Sequence, residues 1–459
     1  MKKLNSQNKK VAVALSGGVD SGVAAALLIK EGYQCTGFHL HLWSESIKDK
    51  KFENKYYSTE SLEAARKTAH QLGMTFQVID FSQLFKKKVV DYFLKTYAVG
   101  LTPNPCVFCN KFIKFGELLN YIRKLDFDYL ATGHYARVML CSPDGNFDSV
   151  SDSARKIPSE LTGQARERRF TPLNEVFVGS QNETSQNLSG SLYYSLLMGV
   201  DKFKDQSYFL YNLTQCQLKH VLFPIGDYQK KEVVAMAKRW QLPVAHRPES
   251  QEICFLPEND YRPFLKRHLQ DKIKPGEVVD MKRKVIGSHQ GLPLYTIGQR
   301  HGFEVKPSVI SHRPSATPPF YVIGKNIEEN RLVVGFGKET ERKEFWVKDI
   351  NWINPLTINH QSLTIKCQVR IRHQGELLSC EVRSEKWKEG KTPRTVARRD
   401  SSEVKEKVVK VTLDEGERGI APGQSAVFYL GEEVLGGGII GDYPLTKEKK
   451  NDTHKLSMI

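Results

Sequence analysis

The chain has 459 residues, 40% of them apolar and 26% charged, which excludes a disordered or fibrous protein and suggests two to four domains. Lysine and arginine total 68 against 52 acidic residues, a formal charge of +16; such an excess attracts polyanions, nucleic acid foremost, though it also serves solubility alone. No apolar run approaches the ~18–20 residues of a membrane span, and residues 1–10 lead into a strand rather than a cleavable leader, so a cytoplasmic protein without membrane association is expected.

Residues 11–15, VAVAL, read as a short buried parallel strand, followed by SGGVDS at 16–21 and a helix over 23–30 closed by Gly32. CTGFHLHLW at 35–43 reads as a second strand. Leu62, Ala65, Ala69 and Leu72 keep helical spacing up to Gly73. FQVIDF at 76–81 and DYLATGH at 128–134 read as further strands, and this alternation predicts an α/β domain with a parallel sheet covered on both faces. Residues 142–196 are polar and aperiodic and read as a largely disordered insertion. Helices are expected over 229–240 and, basic and amphipathic, over 261–270, before a linker at 312–319. From Phe320 the period changes to two, in segments such as RLVVGFG, LTIKCQVRIR and QSAVFYL, which predicts a small antiparallel barrel or sandwich. The expected domains are 1–215, 216–317 and 318–445, with a frayed tail at 446–459.

SGGVDS lies between a strand and a helix, where successive backbone N–H groups and the helix N-terminus can cradle phosphate. Ser16 and Ser21 can donate hydroxyl hydrogen bonds, and Asp20 is placed to hold a Mg2+ ion that bridges phosphates. The loop has neither the GxxxxGK[ST] nor the GxGxxG pattern. An ordinary strand–turn–helix connection has the same spacing. The loop resembles the pyrophosphatase loop of adenylating enzymes related to asparagine and GMP synthetases, which implies cleavage of ATP between its α and β phosphates.

The eight cysteines do not form a disulfide framework. Cys35, Cys141, Cys216, Cys367 and Cys380 read as buried apolar residues. Cys109, in TPNPCVFCNKFIKF, has turn formers and polar groups around it, and Lys111 and Lys114 could stabilise its thiolate. Cys254 lies in SQEICF. Two thiols in an adenylating enzyme suggest sulfur transfer, one carrying a persulfide and the other displacing its sulfur. Cys106 and Cys109 form a single CxxC, half of a zinc site, so no structural zinc is expected.

An ordered set of blocks makes the resemblance specific: ALSGGVDS, TPNPCVFCNKFIKF, ATGHYARV, KDQSYFLY, LFPIGDYQKKEV, QEICF, GSHQGLPLYTIGQRHG and PGQSAVFY. The chain resembles the bacterial and organellar tRNA-specific 2-thiouridylase (tRNA uridine 2-sulfurtransferase) family over about 10–140 and 200–442. The resemblance implies a pyrophosphatase-type α/β domain, a small central domain and a C-terminal β-barrel. It implies thiolation of the wobble uridine of tRNAs for Lys, Glu and Gln: ATP with Mg2+ adenylates O2 of the uracil, and persulfide sulfur replaces it, releasing AMP and pyrophosphate. Cys109 then corresponds to the nucleophile and Cys254 to the persulfide carrier, with a transient Cys109–Cys254 disulfide. ATP would lie on Ala14, Leu15, Ser16, Gly17, Gly18, Val19, Asp20 and Ser21, with Leu40 and Gly133 at nucleotide-contacting positions. Asn104, Pro105 and Cys106 would flank the target base. His134, Lys204, Asp205, Gln206, Arg370, Ile371 and Gln424 fall at tRNA-contact positions. A cysteine desulfurase or a sulfur-relay protein would supply the persulfide.

Some members of that family carry Asp where this chain has Cys106, so the acid–base role given to that Asp does not carry over. Basic groups at Arg262, Lys266, Arg267 and His268, at Arg370, Arg372 and His373, and between Lys386 and Arg399 can position phosphates, or be ordinary solvated faces. A wobble base in a single-stranded loop is cheap to flip into a pocket. Two other readings exist: an amidating synthetase, which needs a glutaminase pattern the sequence lacks, and a non-catalytic RNA-binding protein, against which the complete loop and both cysteines argue.

Overall fold

The computed structural model describes residues 9–47, 50–53, 58–141, 192–248, 253–256, 258, 260–306, 319–354, 364–384 and 408–441. The first sheet is wholly parallel, in the order Thr75–Asp80, Gln34–His41, Lys10–Ala14, Tyr129–Ala131, Val221–Leu222. Val11, Ala12 and Val13 are fully buried because the central strand is covered on both faces. Helix Val19–Lys30 is sandwiched in turn. Ala25 and Leu28 pack on Val11 and Val13, while Val23, Ala24 and Leu27 pack on Val233, Met236 and Ala237 of helix Lys230–Arg239. Small alanines allow this close approach on two sides. Gly32, at φ +87°, ends the helix with its N–H on the Ile29 carbonyl.

The chain leaves the central strand in one direction for Gln34–His41 and Thr75–Asp80, then returns to the other side for Tyr129–Ala131. Residues 16–21 therefore sit at the point where strand order reverses, which is where open α/β sheets form their ligand crevice.

A second sheet orders Glu304–Val305, Val285–His289, Gly276–Val279, Arg331–Gly335 and Tyr321–Asn326, with one parallel pair between Gly276–Val279 and Arg331–Gly335. The third has eight antiparallel strands, and pairing of Glu341–Trp352 with both Val409–Arg418 and Glu433–Ile440 curls it back on itself. Its interior is apolar: Ile365, Cys367 and Val369 alternate inward, facing Val382, Val411 and Phe428. The fold class is thus a parallel N-terminal α/β domain, a small central barrel-like domain and a C-terminal antiparallel β-barrel.

Several strands lie away from their expected domain. Val221–Leu222 completes the first sheet beyond residue 215. Tyr321–Asn326 and Arg331–Gly335, grouped by period with the C-terminal strands, hydrogen-bond into the central sheet. Tyr193–Met198 begins inside the segment read as disordered, yet it pairs with Ala136–Cys141 and with Glu433–Ile440. Residues 142–191, all but the last residue of the expected linker at 312–319, the basic stretch between Lys386 and Arg399, and the tail at 446–459 lie outside the described residues. Among the described residues no helix is long and apolar enough to cross a membrane.

Candidate active site

The glycine-rich loop is held in a tight conformation from within. The Ser16 N–H donates to Ser21 Oγ (3.3 Å), Ser21 Oγ donates to the Gly18 carbonyl (3.1 Å), and the two serine hydroxyls are 3.2 Å apart. Gly17 is required twice over. Its φ is +76°, and a Cβ there would lie 2.2 Å from the Ser61 carbonyl oxygen. Gly133, after strand Tyr129–Ala131, approaches from the other side, where a Cβ would stand 2.7 Å from the Ser21 nitrogen. Such close backbone approach admits no side chain at either glycine.

Asp20, in the first turn of the following helix, is gripped by a cation. Lys230 Nζ donates to both carboxylate oxygens at 2.7 and 2.9 Å, and the Tyr135 hydroxyl donates to Oδ1 at 2.9 Å. Lys230 in turn starts the helix that packs on Val19–Lys30. Its backbone N–H donates to Asp201 Oδ2 at 2.8 Å, which fixes where the helix begins. Oδ1 accepts two of these bonds and Oδ2 one, which leaves Oδ2 a lone pair for a Mg2+ ion that ATP phosphates would share.

The Cys109 segment is built by a cap and an unusual helix. Asn104 Oδ1 accepts from the Val107 N–H at 3.4 Å, and Pro105 occupies the first turn, where its missing N–H costs nothing. Helix Pro105–Phe108 then widens into a π-helix over Cys109–Leu118, with Cys109 at the change of pitch. Cys109 is buried, and burial raises its thiol pKa while the nearby Lys114 charge pulls it back. At Cys106 burial, and then the neighbouring Cys109, push the pKa up to about 11, with Lys114 again opposing. Lys111 lies instead over the Phe112 ring.

Lys114 leans on His134, with Nζ 3.5 Å from Nε2, while His134 Nδ1 is 2.7 Å from Thr132 Oγ1. An ammonium only donates, so Nε2 accepts and the ring proton sits on Nδ1. Burial, reinforced by Lys114, holds the His134 pKa well below the usual imidazole value, so the ring is neutral.

These pieces share one cavity of about 750 Å³. Ala14, Ser16, Gly17, Gly18, Val19, Asp20, Ser21 and Gly133 line it, as do Pro105, Cys106, Cys109, His134, Gln206 and Cys254. Leu15 and Leu40 are buried beneath it, and Leu42, two residues beyond Leu40 on the same strand line, reaches the lining. Among the described residues, Lys114, Lys230, Lys238 and Arg247 supply positive charge to the lining, against one carboxylate, that of Asp20. Phe85, Val89, Phe209, Ile253 and Phe255 make an apolar portion of the wall. Cys109 and Cys254, far apart in sequence, are therefore brought to one chamber with the loop.

The remaining tRNA-contact candidates sit elsewhere. Asp205 and Arg370 are both buried and pair with each other (2.8 Å); Asp205 also accepts from the Gly199 and Ser207 N–H groups at 3.0 and 3.1 Å. Ile371 is buried beside them. Lys204 follows Phe203, which is 85% exposed. Gln424 Nε2 donates to the Pro103 carbonyl at 2.9 Å. Cys216, read from sequence as buried, is exposed because it lies on the open side of the short helix Gln215–Leu218.

Sequence reading assigned no role to Lys230, Tyr135, Lys238, Arg247 or Asn110. Lys230 stands inside the LFPIGDYQKKEV block, so its motif was visible while its partner was not.

Comparison with known proteins agrees along the chain. Residues 9–157 and 177–258 match the family model described as tRNA methyl transferase HUP domain, 262–336 the tRNA methyl transferase PRC-barrel domain, and 396–440 the aminomethyltransferase beta-barrel domain. A tRNA-specific 2-thiouridylase of Carboxydothermus hydrogenoformans is 37% identical, over 94% of this chain and 97% of that protein. The Symbiobacterium thermophilum and Roseiflexus sp. (strain RS-1) proteins of the same name are 36% and 38% identical, each over 94% of this chain and over 92% and 99% of their own length.

Proposed function

The chain belongs to the tRNA-specific 2-thiouridylase family, and from that premise we propose that it replaces O2 of the wobble uridine of tRNA with sulfur. The observation that carries the proposal is the single cavity that joins the phosphate-cradling loop to Cys109 and Cys254.

In this reading ATP lies on residues 14–21 and Gly133, with Lys230 and Lys238 offsetting phosphate charge and Mg2+ held by Asp20. Bound there, Mg2+ supplies charge neutralisation of the departing pyrophosphate. Uracil O2 attacks the α-phosphorus, and pyrophosphate leaves. The Cys109 thiolate displaces the terminal sulfur of a Cys254 persulfide, which forms a Cys109–Cys254 disulfide and releases hydrosulfide. Hydrosulfide adds at C2, and AMP departs with the former oxygen. An external thiol then returns the disulfide to two thiols. Lys114 favours the thiolate that this step requires, and neutral His134 fixes where Lys114 points. Asn104 serves as the cap that aims the segment, with Pro105 and Cys106 beside the base. Lys204 and Gln424 belong to the neighbouring tRNA surface, with Gln206 in the cavity wall, and the buried Asp205–Arg370 pair and Ile371 brace that surface from beneath. The tRNA set is that for Lys, Glu and Gln, and the sulfur donor is a cysteine desulfurase or relay protein.

The test is direct. The protein is incubated with ATP, Mg2+, a sulfide source and unmodified tRNA, and the digested nucleosides are weighed. Appearance of 2-thiouridine with equimolar AMP is expected; its absence under conditions that support a relative sinks the proposal.

A further inference from the structure

Asn110 follows Cys109 and is 4% exposed, yet lines the cavity. Its Nδ2 donates to the Phe209 carbonyl at 3.2 Å. A carbonyl can only accept, so the amide nitrogen must face Phe209, and the orientation of the carboxamide is fixed. Its Oδ1 is sealed from water and has no hydrogen-bond partner. A buried acceptor left unmatched in a native protein calls for an explanation, and a ligand that brings a donor is one.

We propose that Asn110 reads the N3–H edge of the target uracil, accepting that hydrogen bond on Oδ1, and so admits uracil and rejects cytosine. The inference rests on the function proposed above and names how its base is chosen. Uracil carries a proton on N3, whereas cytosine presents a bare lone pair there, which Oδ1 would oppose. The side chains of Phe209, Ile253 and Phe255 line this cavity and give it an apolar wall suited to a flat base. N3 is bonded to C2, the carbon that exchanges oxygen for sulfur, so a contact at N3 from the residue after Cys109 brings the reacting atom near the nucleophile. Because Oδ1 is closed off, the arriving base parts the side chains that cover it, and solvent cannot satisfy a mismatched base there. A site built to hydrogen-bond one edge rejects the analogue that lacks it, since a buried polar group is then left unpaired. Asn110 is thus a specificity residue for the arriving base.

Binding without ATP isolates this contact from the chemistry. Full-length protein is titrated with tRNA transcripts that differ only at the wobble position: uridine, N3-methyluridine or cytidine. The wild type is expected to hold the uridine transcript about tenfold or more tighter than the other two. Asn110→Ala should bind all three alike, near the wild-type cytidine value, with ATP affinity retained as the check on folding. An Asn110→Ala protein that keeps the wild-type uridine preference overturns the proposal, as does a wild type with no preference. Formation of 2-thiouridine by the wild type is measured in parallel. If it occurs while Asn110→Ala leaves the preference intact, only the assignment of Asn110 fails; if the wild type neither binds nor thiolates tRNA, the functional reading fails with it.

Discussion

Gln424 reaches from the C-terminal barrel to hold Pro103, its Nε2 2.9 Å from the proline carbonyl oxygen across 321 positions of sequence. The Thr102 N–H donates to the Pro422 carbonyl at 2.9 Å, and a Cβ on Gly423 would meet the Thr102 oxygen at 2.7 Å. The turn that caps the Cys109 helix is thus braced by a different domain. Gln424→Ala should lower the thiolation rate severalfold with little change in ATP affinity, because it loosens the nucleophile's entry turn and not the phosphate loop. Single-turnover thiolation and ATP titration on the same variant check this.

Cys109→Ser and Cys254→Ser should each abolish persulfide-dependent thiolation, whereas Cys106→Ser should cost much less. Mass analysis of 2-thiouridine reads all three. Equal loss at every position would overturn the roles assigned.

The pH profile follows from Cys109. Burial raises its pKa, so only a minor fraction is thiolate at neutral pH, and the rate should climb as pH rises through 7 to 9. Lys114 opposes that rise. Lys114→Gln should therefore push the ascending limb to higher pH and slow the reaction most at neutral pH. An unchanged limb in the variant would show that Lys114 does not set the thiolate.

Lys230→Met removes the ammonium that bridges both Asp20 oxygens, leaves the Tyr135 hydroxyl bond in place, and takes a cation from the phosphate end. Hydrogen bonds to charged groups contribute roughly 1.5–3 kcal/mol, so ATP–pyrophosphate exchange should fall about ten- to a hundredfold. Transfer of sulfur from a pre-adenylated tRNA should be nearly normal.

Gly17→Ala places a Cβ in contact with the Ser61 oxygen from a left-handed backbone. The cost should be roughly 1–3 kcal/mol, expressed as a lower melting temperature together with weaker ATP binding. Asp205→Ala strands the buried Arg370 and should destabilise by about 3–5 kcal/mol. Denaturant unfolding measures the second, and loss of ATP binding should not accompany it.

What the sequence made legible was local. The strand–SGGVDS–helix order could be read because its residues are consecutive and their job is done by backbone. The period-two segments announced a barrel, since alternation needs only one strand to be seen. Lys230 could not be paired with Asp20 from 210 positions away, because a long flexible cation carries no spacing signal. Val221–Leu222 is too short for any period, and Tyr193–Met198 emerges from a polar stretch that masked it. Asn110 hid for another reason: an asparagine beside a cysteine is ordinary until burial shows its oxygen unmatched.

The barrel has a temporal side. Tyr193–Met198 waits for Glu433–Ile440, and the turn before Cys109 waits for Gly423 and Gln424. On the ribosome residues 9–141 emerge well before the segment that braces the turn ahead of Cys109. A nascent chain can therefore form the 16–21 loop well before the turn ahead of Cys109 is held, so the two halves of the cavity are completed at different times.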